Sequence, residues 1–275
     1  MNQLQAADAR EVQHDDVGSA GADYSWRYGR AFPAGAPMMP PSLSFSGSLL
    51  IASAIVLSSY CRKFTLQIER RWRALSAGVA VAYVFISLMP ELEEHRPAVA
   101  KSTVGVLLDT ETRIYLWALA GFVFFAGLSR LHSVPVGGAQ RRGWLYSSTM
   151  LGYALYVLLI GYLLVRREDA SAPSLALYVF AIGLHLFMVD GELAEQFQHR
   201  YESGGRWLLV GCVVLGWALG IGNLFADSIT ARLFAFLAGG VLVTAAHAEV
   251  RAEGGPRFWW FVGGSAAYAT ILMLI

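Results

Sequence analysis

Long apolar stretches separated by short polar connections form the main pattern in this sequence. A helix needs about 20 mostly apolar residues to cross the hydrocarbon core of a bilayer, and its backbone must satisfy its own hydrogen bonds there. The stretches therefore predict an all-α, polytopic transmembrane helix bundle of seven or eight spans. In the eight-span interpretation they cover residues 43–60, 74–90, 114–131, 144–165, 172–194, 206–226, 231–250 and 258–275.

The first 42 residues differ from the rest of the chain. They contain several prolines, glycines and charged residues and lack helical apolar periodicity, so we expect residues 1–42 to be a flexible tail and residues 43–275 to be the transmembrane domain. The opening MNQLQAADAREVQHDD is polar, unlike a secretory signal peptide. We expect the first span to be retained.

Composition and charge agree with a membrane environment. The chain is 56% hydrophobic and 15% charged, which is too apolar for a water-soluble fold of this size. A net charge of +1 gives no indication of nucleic acid binding. The connections on one side of the predicted bundle carry twelve of the 21 basic residues, and the positive-inside rule assigns that side to the cytoplasm. Both termini are therefore expected on the outer side of the membrane. We expect an integral, multi-pass protein of the plasma (inner) membrane.

Span five contains polar groups that a bilayer normally excludes. His185 lies in mid-span, and Asp190, Glu192 and Glu195 follow toward the C-terminal end. At about 100° per residue, His185 and Glu192 share one stripe, Glu195 lies at its edge, and Asp190 lies on nearly the opposite face. Imidazole and carboxylate groups bind zinc, iron or manganese, or relay protons; alternatively, the acidic residues mark an ordinary helix end in interfacial water.

Two further spans end in candidate groups. Glu91 follows Pro90 at the end of span two, where a proline loosens the helix and exposes carbonyl oxygens. His247 near the end of span seven follows two alanines, which leave room for a ligand, water or another helix. The candidate metal ligands are therefore His185, Asp190, Glu192, Glu195, Glu91 and His247.

Small residues predict close helix packing. Gly216 and Gly220 form a GxxxG pair in span six, and Gly239 and Gly240 lie in span seven. Such faces serve as interfaces within a bundle or, alternatively, between two copies of the chain in a homodimer.

Two stretches resemble the ZIP family of zinc and iron transporters. Residues 77–91, AGVAVAYVFISLMPE, are similar to that family's second helix, and residues 234–243, FAFLAGGVLV, are similar to its seventh. The resemblance implies eight spans with both termini outside and transport of divalent cations, zinc first among them. Span four differs from the family pattern because it contains no His, Asn or acidic residue, and Leu186 stands where the family places an acid after its first histidine.

These observations favour a carrier or channel for divalent metal cations, with a site on spans two, five and seven, driven by passive flux or proton coupling. One alternative is a sensor or partner protein that has the ZIP fold but does not transport. The absence of His, Asn and acidic residues from span four favours this alternative. Another is a zinc-dependent intramembrane hydrolase of the ceramidase-like type, with His185, His247 and Asp190 at its metal. Neither a Walker loop nor a GxSxG motif is present, and we do not expect an enzyme.

Overall fold

The regular structure of this chain is helical throughout the part that can be described. The computed structural model describes residues 39–61, 66–94, 113–131, 139–167, 171–250 and 256–274. Helices are numbered here in chain order. They are α1 (Pro41–Cys61), α2 (Leu66–Tyr83, continued by a π-helical turn Val84–Leu88 and the turn Met89–Glu94), α3 (Arg113–Leu131), α4 (Ala139–Val165), α5 (Ala172–Phe197), α6 (a π-helical turn Tyr201–Gly205 continued by Arg206–Ile221), α7 (Asp227–Val250) and α8 (Pro256–Leu274).

Six of these helices, α1, α2 and α4 to α7, contain segments long and apolar enough to cross a membrane. This confirms the predicted class, an all-α integral membrane protein. Helices α3 and α8 stay predicted spans, so the number eight stays a prediction. Most of the predicted tail, residues 1–38, lies outside the described residues.

The outer surface of the bundle carries large apolar side chains. Leu151 on α4, Trp259 on α8 and Met273 on α8 are 73%, 71% and 79% exposed. Exposing such groups to water would be unfavourable, whereas the hydrocarbon core of a bilayer solvates them without this penalty. The surface therefore fits a lipid environment.

The helices pack in two groups. The first helix group consists of α1, α4, α5 and α6, in which α4 packs along α6 and α1 packs on α5 and α6. The second helix group consists of α2, α3, α7 and α8, in which α3 and α2 pack on α7 and α8 packs along α2. Helices α2 and α5, and α4 and α7, meet across the boundary between the groups, which we call the seam.

Glycines bring helix backbones together inside each group. A Cβ atom on Gly239 of α7 would lie 1.9 Å from the carbonyl oxygen of Ala118 on α3, and one on Gly216 of α6 would lie 2.1 Å from that of Leu158 on α4. Gly220 also faces α4, at 2.7 Å from the carbonyl oxygen of Tyr162. Only a residue without a side chain allows these approaches. The prediction that these glycines form interfaces within the bundle is confirmed, and the homodimer stays a prediction.

Helix α2 departs from α-helical geometry just before Pro90. Its π-helical turn spans Val84–Leu88, and the backbone N–H of Met89 bonds to the carbonyl of Val84, five residues earlier. Proline has no N–H to continue the usual ladder and its ring crowds the preceding turn, so a wider turn accommodates it. The predicted loosening of this helix is confirmed, and the exposure of its carbonyl oxygens stays a prediction.

Helix α6 ends earlier than the predicted limit of residue 226. It stops at Ile221, followed by Gly222 and by Asn223, whose φ is +47°. Asparagine tolerates this left-handed conformation better than most residues and commonly terminates helices.

Candidate functional site

His185 is buried where the two helix groups meet. Its side chain lies on α5 at 3% exposure. The imidazole Nε2 lies 2.9 Å from the hydroxyl of Tyr156 on α4 and 3.3 Å from the hydroxyl of Thr244 on α7. Nε2 thus faces side chains from both sides of the seam. The prediction that His185 lies in the middle of its span is confirmed, and its side chain faces the interior of the bundle.

The surrounding hydrogen bonds restrict the role of each hydroxyl. Thr244 donates its single hydrogen to the carbonyl oxygen of Gly240 at 2.8 Å, which leaves its oxygen as an acceptor toward His185. An acceptor facing Nε2 fits the tautomer that carries its proton on Nε2, in which the ring N–H is directed at the Thr244 and Tyr156 oxygens. In that tautomer, Nδ1 offers the lone pair that a metal ion or a proton would take.

A small cavity adjoins His185. Its volume is about 10 Å³, close to what one water molecule needs, and its lining includes His185, Glu192 and Thr244. Arg73 and Ala77 of α2 line it as well. The predicted stripe of His185 and Glu192 therefore meets one cavity, between α5, α2 and α7.

Asp190 has a different set of neighbours. Its carboxylate, on a residue 1% exposed, accepts hydrogen bonds from Arg206 Nε at 2.9 Å and Arg206 Nη2 at 3.1 Å. The hydroxyls of Tyr201 and Ser58 also donate to it. These partners belong to α6 and α1, whereas those of His185 belong to α4 and α7. The prediction that Asp190 faces nearly opposite His185 is confirmed.

Glu195 lies at the exposed end of α5. Its side chain is 53% exposed and forms a two-pronged ion pair with Arg73 of α2, in which Nη1 donates to Oε2 at 3.0 Å and Nη2 donates to Oε1. This pair crosses the seam. His199, two residues beyond the end of α5, is also exposed, so the C-terminal part of this segment resembles the ordinary helix end considered above.

Glu91 lies at the opposite end of the bundle from Asp190. It follows the π-helical turn of α2 and acts electrostatically on Tyr83 and Tyr178, as does Arg167 from the end of α4. The Arg167 guanidinium stacks over the Tyr178 ring at 4.8 Å and donates to the carbonyl and hydroxyl oxygens of Ser174. At this end, Arg167 and Glu91 thus interact with the same two tyrosines.

The six predicted ligands do not converge on one point among the described side chains. His185 and Glu192 share a cavity, Asp190 and Glu195 pair with arginines, and Glu91 lies elsewhere. The His247 side chain lies outside the described residues, although its backbone lies in α7, three residues after Thr244. Within the described part of the chain, no three His, Cys, Asp or Glu side chains are grouped closely enough to hold a metal ion.

Sequence reasoning missed the hydroxyl and guanidinium partners. Tyr156 and Thr244 lie within apolar spans. Their hydroxyl groups are uncharged and common in such spans, so the sequence does not distinguish them as site residues. Arg206 and Tyr201 were assigned to the start of a span and a connection. An arginine directly ahead of an apolar run, near the depth of a buried aspartate on the preceding span, is the signal that identifies the pair.

Comparison with known proteins does not identify a family. No protein-family model matches the chain, and none of the curated proteins is significantly similar to it. The resemblance to ZIP transporters therefore stays a prediction from two stretches of sequence.

Proposed function

We propose that this protein is an integral membrane carrier for a divalent transition-metal cation, with zinc as the first candidate and with its binding site at the seam. The observation that carries the proposal is the burial of His185 between α4, α5 and α7, beside a cavity that Glu192 also lines. A histidine inside a membrane bundle is costly and is retained where it contacts a substrate, an ion or a proton.

The chemistry of the two residues suits such a cation. Neutral imidazole binds zinc, iron and manganese through one ring nitrogen, and a carboxylate adds a charged oxygen. The Tyr156 and Thr244 hydroxyls orient the ring as second-shell partners orient metal-binding histidines elsewhere. His247, about one turn from Thr244 in α7, is the candidate for a third ligand.

The position of the cavity suits a carrier. Transporters commonly place the substrate near the bilayer midplane between two structural units, and rigid-body movement of one unit against the other exposes it to alternate sides. The two helix groups supply such units, and His185 contacts one residue from each. The ZIP-like stretches on α2 and α7, both in the second helix group, agree with this proposal.

Asp190 and Glu195 take supporting roles in this proposal. Asp190 ties α5 to α6 and α1 within the first helix group, and Glu195 ties α5 to α2 at one exposed end. Glu91, at the other end, attracts cations toward that mouth of the bundle. The ligand set is thus smaller than the one that sequence reasoning assembled.

Uptake into proteoliposomes tests the proposal. Purified full-length protein is reconstituted with a metal-sensitive dye inside the vesicles, and entry of Zn²⁺, Fe²⁺ and Mn²⁺ is recorded. We expect saturable uptake of at least one ion, which His185→Ala abolishes and His199→Ala leaves unchanged. Normal uptake by a folded His185→Ala variant would refute the site.

A ZIP-like protein that does not transport is the second candidate. Two observations favour it: α4 contributes a tyrosine rather than His, Asn or an acid to the seam, and the Asp190 carboxylate is occupied by Arg206. In that case the wild-type vesicles show no uptake of any of the ions. Metal analysis of the purified protein then distinguishes a metal-binding sensor from a partner protein without metal.

A further inference from the structure

An apolar groove runs along α1 and α5 on the outside of the first helix group. Its volume is about 790 Å³, within the range of about 300–1,000 Å³ typical of ligand sites. Its lining extends along α1 from Leu43 to Cys61, or about 27 Å at 1.5 Å per residue, which is close to the thickness of the bilayer hydrocarbon. Among its apolar lining are Leu50, Ala54, Leu57, Val179, Phe180 and Phe187.

The groove exists because α1 and α5 do not pack backbone to backbone. The Cβ of a residue replacing Gly183 on α5 would be 3.6 Å from the Ala54 side chain, an ordinary contact distance. By contrast, a Cβ atom added to Gly216 between α4 and α6, or to Gly239 between α3 and α7, would lie only 2.1 or 1.9 Å from a carbonyl oxygen of the neighbouring helix. Alanines and glycines beside larger apolar side chains leave a concave surface instead.

One end of the groove is basic and aromatic. Trp72 and Arg73 of α2 line it together with Ser58 and Cys61 of α1. Arg70 and Arg71 directly precede them in sequence, so this end of α2 reads Arg-Arg-Trp-Arg. Tryptophan and arginine are typical of the membrane interface, where the headgroups of anionic lipids attract arginine.

We propose that this groove is a binding site for an anionic glycerophospholipid. An acyl chain lies along α1 and α5, and the phosphate lies at the basic end of α2. Depth and charge both support this occupant: the apolar lining coincides with the hydrocarbon region, and Arg73, at one end, is the one charged residue among the described residues that line the groove. The site is separate from the proposed cation cavity and does not depend on transport.

The same charges disfavour a second copy of the chain as occupant. A twofold dimer whose axis lies along the membrane normal brings the same patch of both copies together at the same depth. Arg73 is paired with Glu195, but the Arg70 and Arg71 positions of one copy would then lie at the same depth as those of the other. A lipid phosphate adds a negative charge at that depth instead of repeating the positive ones.

Native mass spectrometry of the full-length protein tests the proposal. The protein is released from nanodiscs that contain equal amounts of dioleoyl phosphatidylglycerol and dioleoyl phosphatidylcholine, which share their acyl chains. We expect one phosphatidylglycerol to be retained at least about fivefold more often than phosphatidylcholine. Arg70→Gln/Arg71→Gln reduces this preference and leaves the Arg73–Glu195 pair in place.

Groove-filling variants identify the location. Ala176→Trp and Leu50→Trp each place an indole in the groove from an exposed position, and we expect both to lose the retained lipid. Ala267→Trp, at an exposed position of α8 outside the groove, retains it. Retention by either folded groove variant, equal retention of both lipids by the wild type, or a dimer crosslinked through Ala176→Cys would overturn the proposal.

Discussion

Asp190 and Arg206 form a buried, two-pronged ion pair that fixes α5 against α6. Nε and Nη2 of the guanidinium donate to Oδ1 and Oδ2 at 2.9 and 3.1 Å, and the hydroxyls of Tyr201 and Ser58 complete the carboxylate's partners. A charge in a low-dielectric interior is stable only when it is matched in this way. The pair therefore links α5 to α6 inside the first helix group.

Removing one member of this pair should destabilise the protein strongly. We expect Asp190→Asn or Arg206→Gln to lower the free energy of unfolding by about 3–5 kcal/mol, because each leaves an uncompensated buried partner. Thermal unfolding in a fixed detergent measures the loss.

The double substitution Asp190→Leu/Arg206→Met is the matched control, because it removes both charges together. It should be less harmful than either single change. If the double variant loses as much stability as the sum of the singles, the ion pair is not the source of the effect.

Tyr156→Phe should separate the stability of the His185 site from its chemistry. Loss of the hydroxyl removes one partner of the buried imidazole, and we expect about 1–3 kcal/mol lower stability. Ion uptake should fall as well, because the ring loses a group that orients it. Tyr60→Phe, on an exposed tyrosine of α1, should change neither quantity.

Gly239→Ala should be destabilising although alanine favours helices. The new methyl group would lie 1.9 Å from the Ala118 carbonyl oxygen, so α3 and α7 must separate, at a cost of about 1–3 kcal/mol. Gly211→Ala meets no atom within 4 Å and should be neutral or stabilising. Equal melting temperatures for the two variants would contradict this interpretation of the helix contacts.

The Arg73–Glu195 pair should contribute little to stability. Glu195 is 53% exposed, so solvent and salt screen the interaction. Glu195→Gln is expected to change the free energy of unfolding by less than about 1 kcal/mol. Unfolding measured at low and high salt checks this, since the wild type alone should lose the pair's contribution as salt increases.

The sequence predicted the helices well because lipid imposes a simple rule. Any long apolar run must satisfy its backbone internally, so each predicted span falls on a described helix. Glycine faces and the disturbance at Pro90 were also predictable, since both follow from local backbone chemistry. Their effects do not depend on which helices are neighbours.

The site was harder to predict because its members come from different helices. Periodicity places Asp190 and His185 on opposite faces of α5. It does not reveal that Asp190 contacts Arg206 of α6 and that His185 contacts Tyr156 of α4. Which helices become neighbours depends on the tertiary structure. The pattern of charges along the sequence therefore indicated Asp190 as a metal ligand and did not indicate its ion pair. Its partner lies sixteen residues away along the chain.

The glycine contacts also bear on which substitutions the protein tolerates over time. Backbone-to-backbone approaches join α2 to α8, α3 to α7 and α4 to α6, each inside one helix group, while the described contacts across the seam rely on larger side chains. A saturation mutagenesis map should therefore show narrow lines of intolerance within the groups, set by backbone spacing. Along the seam, substitutions of side chains would instead tune how readily the two groups shift, so function can change there while the fold is preserved.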